Sequence, residues 1–267
     1  MASRLEADLH CRQREYRFHG KMTLRVSLGI CMAIFTWLVA SCGKVDQRAD
    51  LVFLNGAEPE TLDPAIITGQ PEGRIVNALF EGLCAYDENG QPSPGVAESW
   101  EISPDGKTYT FHIRTNAKWS DGFPLKAQDF VKSWHHTLKP ETGSQYNYQL
   151  YPIKNAQAFA EGKLADFSEV GVHAVDDRTL RVDLENPTSY FLQLCAFPTL
   201  HPLPVDLIKR VGDDWVKPSN IISNGAYTLE TWRINDKIRL RKNAHYWDSA
   251  NVALETIDVL PISDANV

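Results

Sequence analysis

The stretch Thr108-Tyr109-Thr110-Phe111-His112-Ile113-Arg114 follows the turn-forming residues Pro104-Asp105-Gly106. Its aromatic and aliphatic residues alternate with polar ones, and this period of two predicts a half-buried β-strand. Two segments farther along the chain, 172–184 and 226–240, show the same alternation on both sides of a polar turn. Each of these segments therefore predicts an antiparallel hairpin.

Helical patterns are fewer than strand patterns. Apolar residues recur at helical spacing from Ile75 to Leu83 and from Lys126 to Lys139, where Pro140 ends the pattern. A shorter helix is expected from Asp206 to Val211. Because strands and helices do not alternate strictly, the pattern predicts an α+β fold and argues against a doubly wound parallel sheet.

Composition excludes several classes of protein. The 267 residues include 43% hydrophobic and 23% charged residues, which is typical of an ordinary globular chain and not of a disordered or fibrous one. The net charge of −7, without a long basic run, argues against nucleic acid as a partner. Six basic and only three acidic residues lie in the first 41 positions, so the remainder is more acidic than the whole.

The amino-terminal region has the features of an export signal. Residues 26–40 carry no charge, and this apolar run of 15 residues is shorter than the roughly 20 that span a bilayer. We expect residues 22–41 to be a signal peptide and 42–50 a linker. Residues 1–21 are expected to be an erroneous extension upstream of a true start at Met22, or a disordered segment. The residues Leu38-Val39-Ala40-Ser41 before Cys42 resemble a bacterial lipobox, which implies lipidation of Cys42 and a membrane anchor.

Two cysteines remain in the part of the chain that follows the signal. Cys84 and Cys195 both have apolar neighbours. An exported protein could bridge them, but a free buried cysteine behaves as a small hydrophobic residue, and we favour that interpretation.

The sequence contains no motif that indicates catalysis or metal binding. The patterns G-x-S-x-G, H-E-x-x-H, C-x-x-C, G-x-G-x-x-G and the P-loop are absent. His135 and His136 are adjacent on a predicted helix, so they point in different directions and are expected to be partly packed. Of the six tryptophans after the signal, most are expected in the core. No enzyme activity, cofactor or metal is predicted.

Several motifs are more specific than composition. In chain order they are Glu60-Thr61-Leu62-Asp63-Pro64, Leu79-Phe80-Glu81-Gly82-Leu83, Asn116-Ala117-Lys118-Trp119-Ser120-Asp121-Gly122, Ser223-Asn224-Gly225-Ala226-Tyr227 and Asn243-Ala244-His245-Tyr246-Trp247-Asp248. In this order and spacing they resemble the extracytoplasmic solute-binding proteins, family 5, of oligopeptide and dipeptide ABC transporters. The resemblance covers about residues 50–267.

The resemblance implies a periplasmic-binding-protein-like fold of type II, in the peptide-binding cluster, whose two lobes close on an extended peptide. Oligopeptides and the transporter permease are the implied partners, and the implied location is the periplasm or the outer face of the cell membrane, with a lipid anchor. Residues 51–80 and 205–267 would belong to the first lobe, and 81–204 to the extra domain of peptide binders. Since the sequence ends at Val267, we expect an incomplete two-lobed fold without its second lobe, and weak or no peptide binding.

The same resemblance implies the peptide-binding residues. The segment Thr68-Gly69-Gln70 follows the L-D-P motif and matches a cleft-lining stretch, with Thr68 at a position that is commonly acidic in oligopeptide binders. A cleft tyrosine matches Tyr146, or Tyr148 if the local alignment shifts. Alternative cargoes are a dipeptide, a murein peptide, a nickel complex or haem, and a different alternative is a surface lipoprotein that acts as an adhesin.

Overall fold

Ten strands and five α-helices lie within residues 48–262, the part of the chain that the computed structural model describes. The strands are β1 (Leu51–Leu54), β2 (Cys84–Tyr86), β3 (Pro92–Pro94), β4 (Ala97–Ile102), β5 (Thr108–Ile113), β6 (Val172–Ala174), β7 (Thr179–Asp183), β8 (Tyr227–Arg233), β9 (Lys237–Lys242) and β10 (Thr256–Leu260). The helices are α1 (Gln70–Leu79), α2 (Ala127–Leu138), α3 (Ala156–Ala160), α4 (Phe191–Cys195) and α5 (Val205–Val211). The predicted α+β class is confirmed.

The first sheet has the strand order β1-β10-β9-β8. Strands β8 and β9 form the hairpin predicted from residues 226–240, and Asn235 adopts a left-handed conformation in its turn. Strand β1 pairs in parallel with β10, with Leu51 opposite Ile257. This sheet therefore joins the beginning and the end of the described chain.

The second sheet is antiparallel and has the order β4-β5-β7-β6. Strand β5 contains the alternating stretch described above, and Tyr109, Phe111 and Ile113 are buried as predicted. Strands β6 and β7 form the hairpin expected from residues 172–184. A separate two-stranded ribbon is formed by β2 and β3.

Helix α2 agrees with the prediction for residues 126–139. Its first turn is closed by the Asp129 carboxylate, which accepts the backbone N–H of Lys126 at 2.9 Å. The apolar face packs on β6, β7 and α5, and the indole of Trp134 donates to the Leu200 carbonyl at 2.9 Å. Because this indole is both buried and hydrogen-bonded, it holds α2 against the segment around Leu200.

Helix α1 ends earlier than predicted. The apolar spacing continues to Leu83, but the helix stops at Leu79 because Phe80 is extended. The next residues are held in place by other parts of the chain, since the Asn224 side chain bonds both the N–H and the carbonyl of Glu81. Asn224 is thus buried against this segment.

A single apolar cluster connects both sheets. Trp119, Trp134 and Trp215 are buried in it, and Trp100 and Trp232 pack against it, as expected for most of the tryptophans. The described residues from Ala49 to Ile262 form one compact unit. The division into 51–80, 81–204 and 205–267 therefore stays a prediction.

Candidate functional site

The loop before α1 takes its shape from the buried carboxylate of Asp63. Its Oδ1 accepts the N–H of Ala65 at 2.8 Å, and its Oδ2 accepts the indole N–H of Trp215 at 3.3 Å. Burial raises the pKa of Asp63 to about 6, although these hydrogen bonds act in the opposite direction. The L-D-P motif thus fixes a loop that leaves Thr68 and Gln70 exposed.

A groove with a cavity volume of about 510 Å³ lies beside the first turn of α1. One side is formed by Thr68, Gly69 and Gln70, and the other includes Tyr146 and Phe197. The two sides come from segments that are far apart in the sequence. The groove combines exposed backbone with aromatic surface, which suits a ligand that has both amide groups and apolar side chains.

Tyr146 connects the two sides of the groove. Its hydroxyl donates to the Thr68 carbonyl at 3.4 Å, and its ring meets that of Phe197 edge-on at 5.8 Å between centroids. Tyr148 packs against Tyr146 at 6.0 Å but does not line the groove. Of the two tyrosines that the alignment left open, the structure therefore places Tyr146 at the groove.

Arg74 carries the formal charge of the groove. Among the described residues that line it, no other side chain is a permanent ion. The guanidinium donates to the Asn55 carbonyl at 3.2 Å and to the Gln70 side chain at 3.4 Å, and it lies 5.7 Å from the centre of the Phe53 ring. All these partners are neutral, so the positive charge is available to a ligand.

The structure brings all four predicted groove residues, Thr68, Gly69, Gln70 and Tyr146, to one cavity. Sequence reasoning missed others, among them Arg74, Asn77 and Tyr86. A signal for the first two was present, because positions 70, 73, 74 and 77 share one face of a helix, opposite the apolar residues. No sequence pattern indicated that Tyr86 would lie there.

A second polar cluster lies at the junction of the two sheets, around Glu81. Its carboxylate accepts the Tyr246 hydroxyl and the Trp247 indole N–H, each at 2.5 Å. Burial raises the pKa of Glu81 to about 7, while these hydrogen bonds and the Arg114 cation lower it in part. The Arg114 guanidinium stacks 3.6 Å from the centre of the Trp247 ring. Two of the quoted motifs thus meet here in a structural role.

The titratable side chains of residues 48–262 do not form a metal site. No group of three or more His, Cys, Asp or Glu side chains in this range is arranged to hold a metal ion. His135 stacks on Phe167 at 4.3 Å between centroids, which agrees with the expected partial packing. None of the helices in this range has the length and apolarity needed to cross a membrane. Cys42 lies outside the described residues.

Together the fold and the groove define the class of protein, an α+β chain of the periplasmic-binding-protein type. The family described as bacterial extracellular solute-binding proteins, family 5 Middle, matches residues 91–267, and this chain belongs to that family.

Known relatives show the same resemblance over part of their length. The periplasmic oligopeptide-binding protein OppA of Salmonella typhimurium is 43% identical over 246 residues, which are 89% of this chain and 45% of that protein. A probable deoxycholate-binding periplasmic protein of Escherichia coli, YgiS, is 43% identical over 79% of this chain and 40% of its own length. The chain thus spans less than half the length of these curated relatives.

Comparison with a solved structure shows the same resemblance. The Haemophilus influenzae OppA complex with the peptide RPPGFSPFR superposes with a TM-score of 0.78 at 40% identity. The match covers 82% of this chain and 43% of that structure. The fold of the described residues is therefore one part of the larger fold of that protein.

Proposed function

We propose that this chain is part of the substrate-binding component of an oligopeptide ABC importer, and that extended peptides bind in the groove between residues 68–70 and Tyr146. The observation that carries the proposal is the meeting of residues 68–70 with Tyr146 at one cavity. The names of OppA relatives and the peptide complex of one of them support the same cargo.

The groove offers peptide backbone groups a suitable surface. Thr68 is exposed on the loop before α1, and Gln70 is exposed at the start of that helix. The main chain of an extended ligand can pair with exposed backbone of this kind without a requirement for particular side chains. Gly69 keeps this loop compact, because a Cβ there would lie 2.2 Å from the Glu72 Oε2 atom. Water can fill the remaining space around ligand side chains and so tolerate variation.

The role proposed is binding and delivery, without catalysis. The permease of the importer is the proposed partner, and the proposed location is outside the cytoplasm, where a lipid on Cys42 holds the protein at the membrane. The intact mass of membrane-extracted protein tests the anchor. Loss of the leader and added acyl mass are expected, and an unmodified Cys42 would contradict it.

Peptide binding can be tested by nuclear magnetic resonance, which detects weak as well as tight complexes. Titration of isotope-labelled protein with a peptide mixture should shift the amide signals of residues 68–74 and those around Tyr146. The Tyr146→Ala variant should weaken binding severalfold, because it removes the hydrogen bond to the Thr68 carbonyl and one of the aromatic rings that line the groove. Tyr148→Ala is the matched control and should bind normally. Equal effects of both variants, or shifts confined to other regions, would argue against this groove.

A second cargo is favoured by one observation, the combination of aromatic surface with a single cation at Arg74. An amphipathic carboxylate such as a bile acid would match that chemistry, and one relative is named as a probable deoxycholate binder. Titration with deoxycholate in the same experiment separates the two cargoes. Saturable shifts at the groove with deoxycholate but not with peptides would replace the first proposal by the second.

A further inference from the structure

Cys84 and Cys195 are neighbours in the buried core. Cys84 begins β2 and Cys195 ends α4, and both side chains are fully buried. The structure holds both as free thiols, and the two thiols are in contact. They are separated by more than a hundred residues in the sequence, so only the fold brings them together.

The backbones around the two cysteines are also close. A Cβ built on Gly82 would lie 2.2 Å from the Cys195 carbonyl oxygen and 3.2 Å from that of Cys84. The Tyr86 hydroxyl donates to the Gln193 carbonyl at 3.0 Å and so joins the same two segments a second time. Strand β2 and helix α4 are therefore held side by side, and a disulfide can form only between segments whose backbones lie close together.

We propose that Cys84 and Cys195 form a disulfide bond when the protein folds outside the cytoplasm. Each of the two thiols gives up one proton and one electron. An oxidant that itself contains a disulfide, such as oxidised glutathione, takes up these two protons and two electrons and becomes two thiols. Exported proteins meet such oxidants, whereas cytoplasmic proteins are kept reduced. The bond joins β2 to α4 and closes the chain segment that contains α2 and the whole second sheet.

The cross-link acts on the groove as well as on stability. Tyr86 lies two residues after Cys84, Phe197 lies two residues after Cys195, and both line the groove. A covalent bond between the two segments fixes the spacing of these rings. It also restricts the unfolded chain, and the stabilisation from such a restriction grows with the length of the closed loop.

Burial determines when the bond can form. Burial raises the pKa of the Cys195 thiol, so the thiolate that attacks a disulfide is scarce once the protein has folded. Oxidation is therefore expected during folding, before the pair is enclosed. An experiment that only adds oxidant to folded protein would measure access and not the stability of the bond.

The test is refolding in a glutathione buffer. The test uses a variant with the substitutions Cys11→Ser, Cys31→Ser and Cys42→Ser, so that only Cys84 and Cys195 can react. After refolding, free thiols are trapped with a maleimide in denaturant, and peptide mass mapping follows. The expected product is the Cys84–Cys195 peptide, about 2 Da lighter than the two reduced peptides together. The Tm of the oxidised form should exceed that of the same chain after reduction by about 5–10 °C.

Two results would overturn the proposal. One is recovery of both cysteines as maleimide adducts after refolding with oxidised glutathione. The other is a separate glutathione adduct on each cysteine, which would show that the two sulfur atoms cannot approach bonding distance. In the Cys84→Ser control, Cys195 has no partner, so the cross-linked peptide and the difference in Tm must both disappear. The assay requires no ligand, so its result is independent of whether the protein binds peptides.

Discussion

The two four-stranded sheets differ in how their apolar residues are covered. In the second sheet, β5 buries alternate side chains and leaves the intervening ones half-exposed. In the first sheet, β1 consists of Leu51, Val52, Phe53 and Leu54, and all four side chains are between 38% and 50% exposed. Strand β1 lies at the edge of its sheet within the described residues, so it also presents unpaired backbone groups.

The difference shows that apolar content alone does not predict burial. A continuous apolar run is typical of a strand covered on both faces, whereas alternation is typical of a strand covered on one. The apolar face of β5 is covered, as its alternating pattern requires, because the Phe191 ring packs against Tyr109 and Phe111. Strand β1 does not receive such cover from the described residues. We therefore expect the second sheet to carry the stability of this chain and β1 to carry its tendency to associate.

The largest expected effect is in the core of the second sheet. Phe111→Ala removes a fully buried ring that contacts Trp100, Tyr109 and Phe191, and it should cost about 3–5 kcal/mol in the free energy of unfolding. Phe123→Ala is the matched control, because Phe123 is 70% exposed and should change stability by less than about 0.5 kcal/mol. Urea titrations followed by circular dichroism measure both. Similar losses for the two variants would contradict the assignment of the core.

The next effect concerns Glu81, which joins the two sheets. The pKa of Glu81 is raised from 4.5 to about 7, so between these pH values the folded protein binds more protons than the unfolded chain. The stabilisation from neutral Glu81 is therefore complete below about pH 4.5 and is lost as the pH rises through about 7. Roughly 2–3 kcal/mol of stability should disappear over this range.

The Glu81→Gln variant isolates this effect. Its side-chain amide cannot ionise, so the unfolding free energy of the variant should depend less on pH than that of the native chain between pH 4.5 and 7. Asp63, whose pKa is raised to about 6, contributes a slope of the same sign in both proteins and cancels in the difference. Denaturant titrations at several pH values provide the measurement. Parallel profiles for the two proteins would show that Glu81 does not titrate as the structure indicates.

One identical substitution in each sheet tests the comparison directly. Val182→Thr places a hydroxyl in a fully buried position of β7 and should cost about 1–3 kcal/mol. Val52→Thr makes the same change in β1, where the side chain is 49% exposed, and should leave stability within about 0.5 kcal/mol. Light scattering should show less association for the Val52→Thr variant than for the native chain. If Val52→Thr destabilised the fold as much as Val182→Thr does, β1 would be covered after all.

Local patterns predicted most of the elements because local forces decide them. The alternation in residues 108–114 and the two hairpins required only the period of two, and α2 only its apolar face and Pro140. The end of α1 could not be predicted in this way, because Asn224, more than a hundred residues away, binds the Glu81 backbone and holds that segment outside the helix. Tertiary contacts decide such boundaries, and a single sequence does not display them.

The groove was partly predictable, but for a different reason. Thr68, Gly69, Gln70 and Tyr146 were implied by the resemblance to the solute-binding family and not by a local pattern, whereas Arg74 follows from helical geometry once α1 is known to begin at Gln70. Tyr86 and Phe197 reach the groove through the packing of β2 against α4. Their positions depend on the fold of more than a hundred intervening residues, which no local pattern encodes.

The smallest expected effect is in the groove, where the two regions meet. Helix α1 packs against β8 of the first sheet. The turn after Tyr146 packs against helix α2, which lies against β6 and β7 of the second sheet. If each side recognises a different ligand feature, Arg74→Gln should remove a charge preference without loss of general affinity. Native protein should bind peptides with Glu about 2–5-fold more tightly than the same peptides with Gln, since an exposed ion pair contributes less than about 1 kcal/mol. Arg74→Gln should bind both alike. If Arg74→Gln still preferred peptides with Glu, charge recognition would belong to the side of the groove that contains Tyr146 and Phe197. The two sides would then not recognise separate features of the ligand.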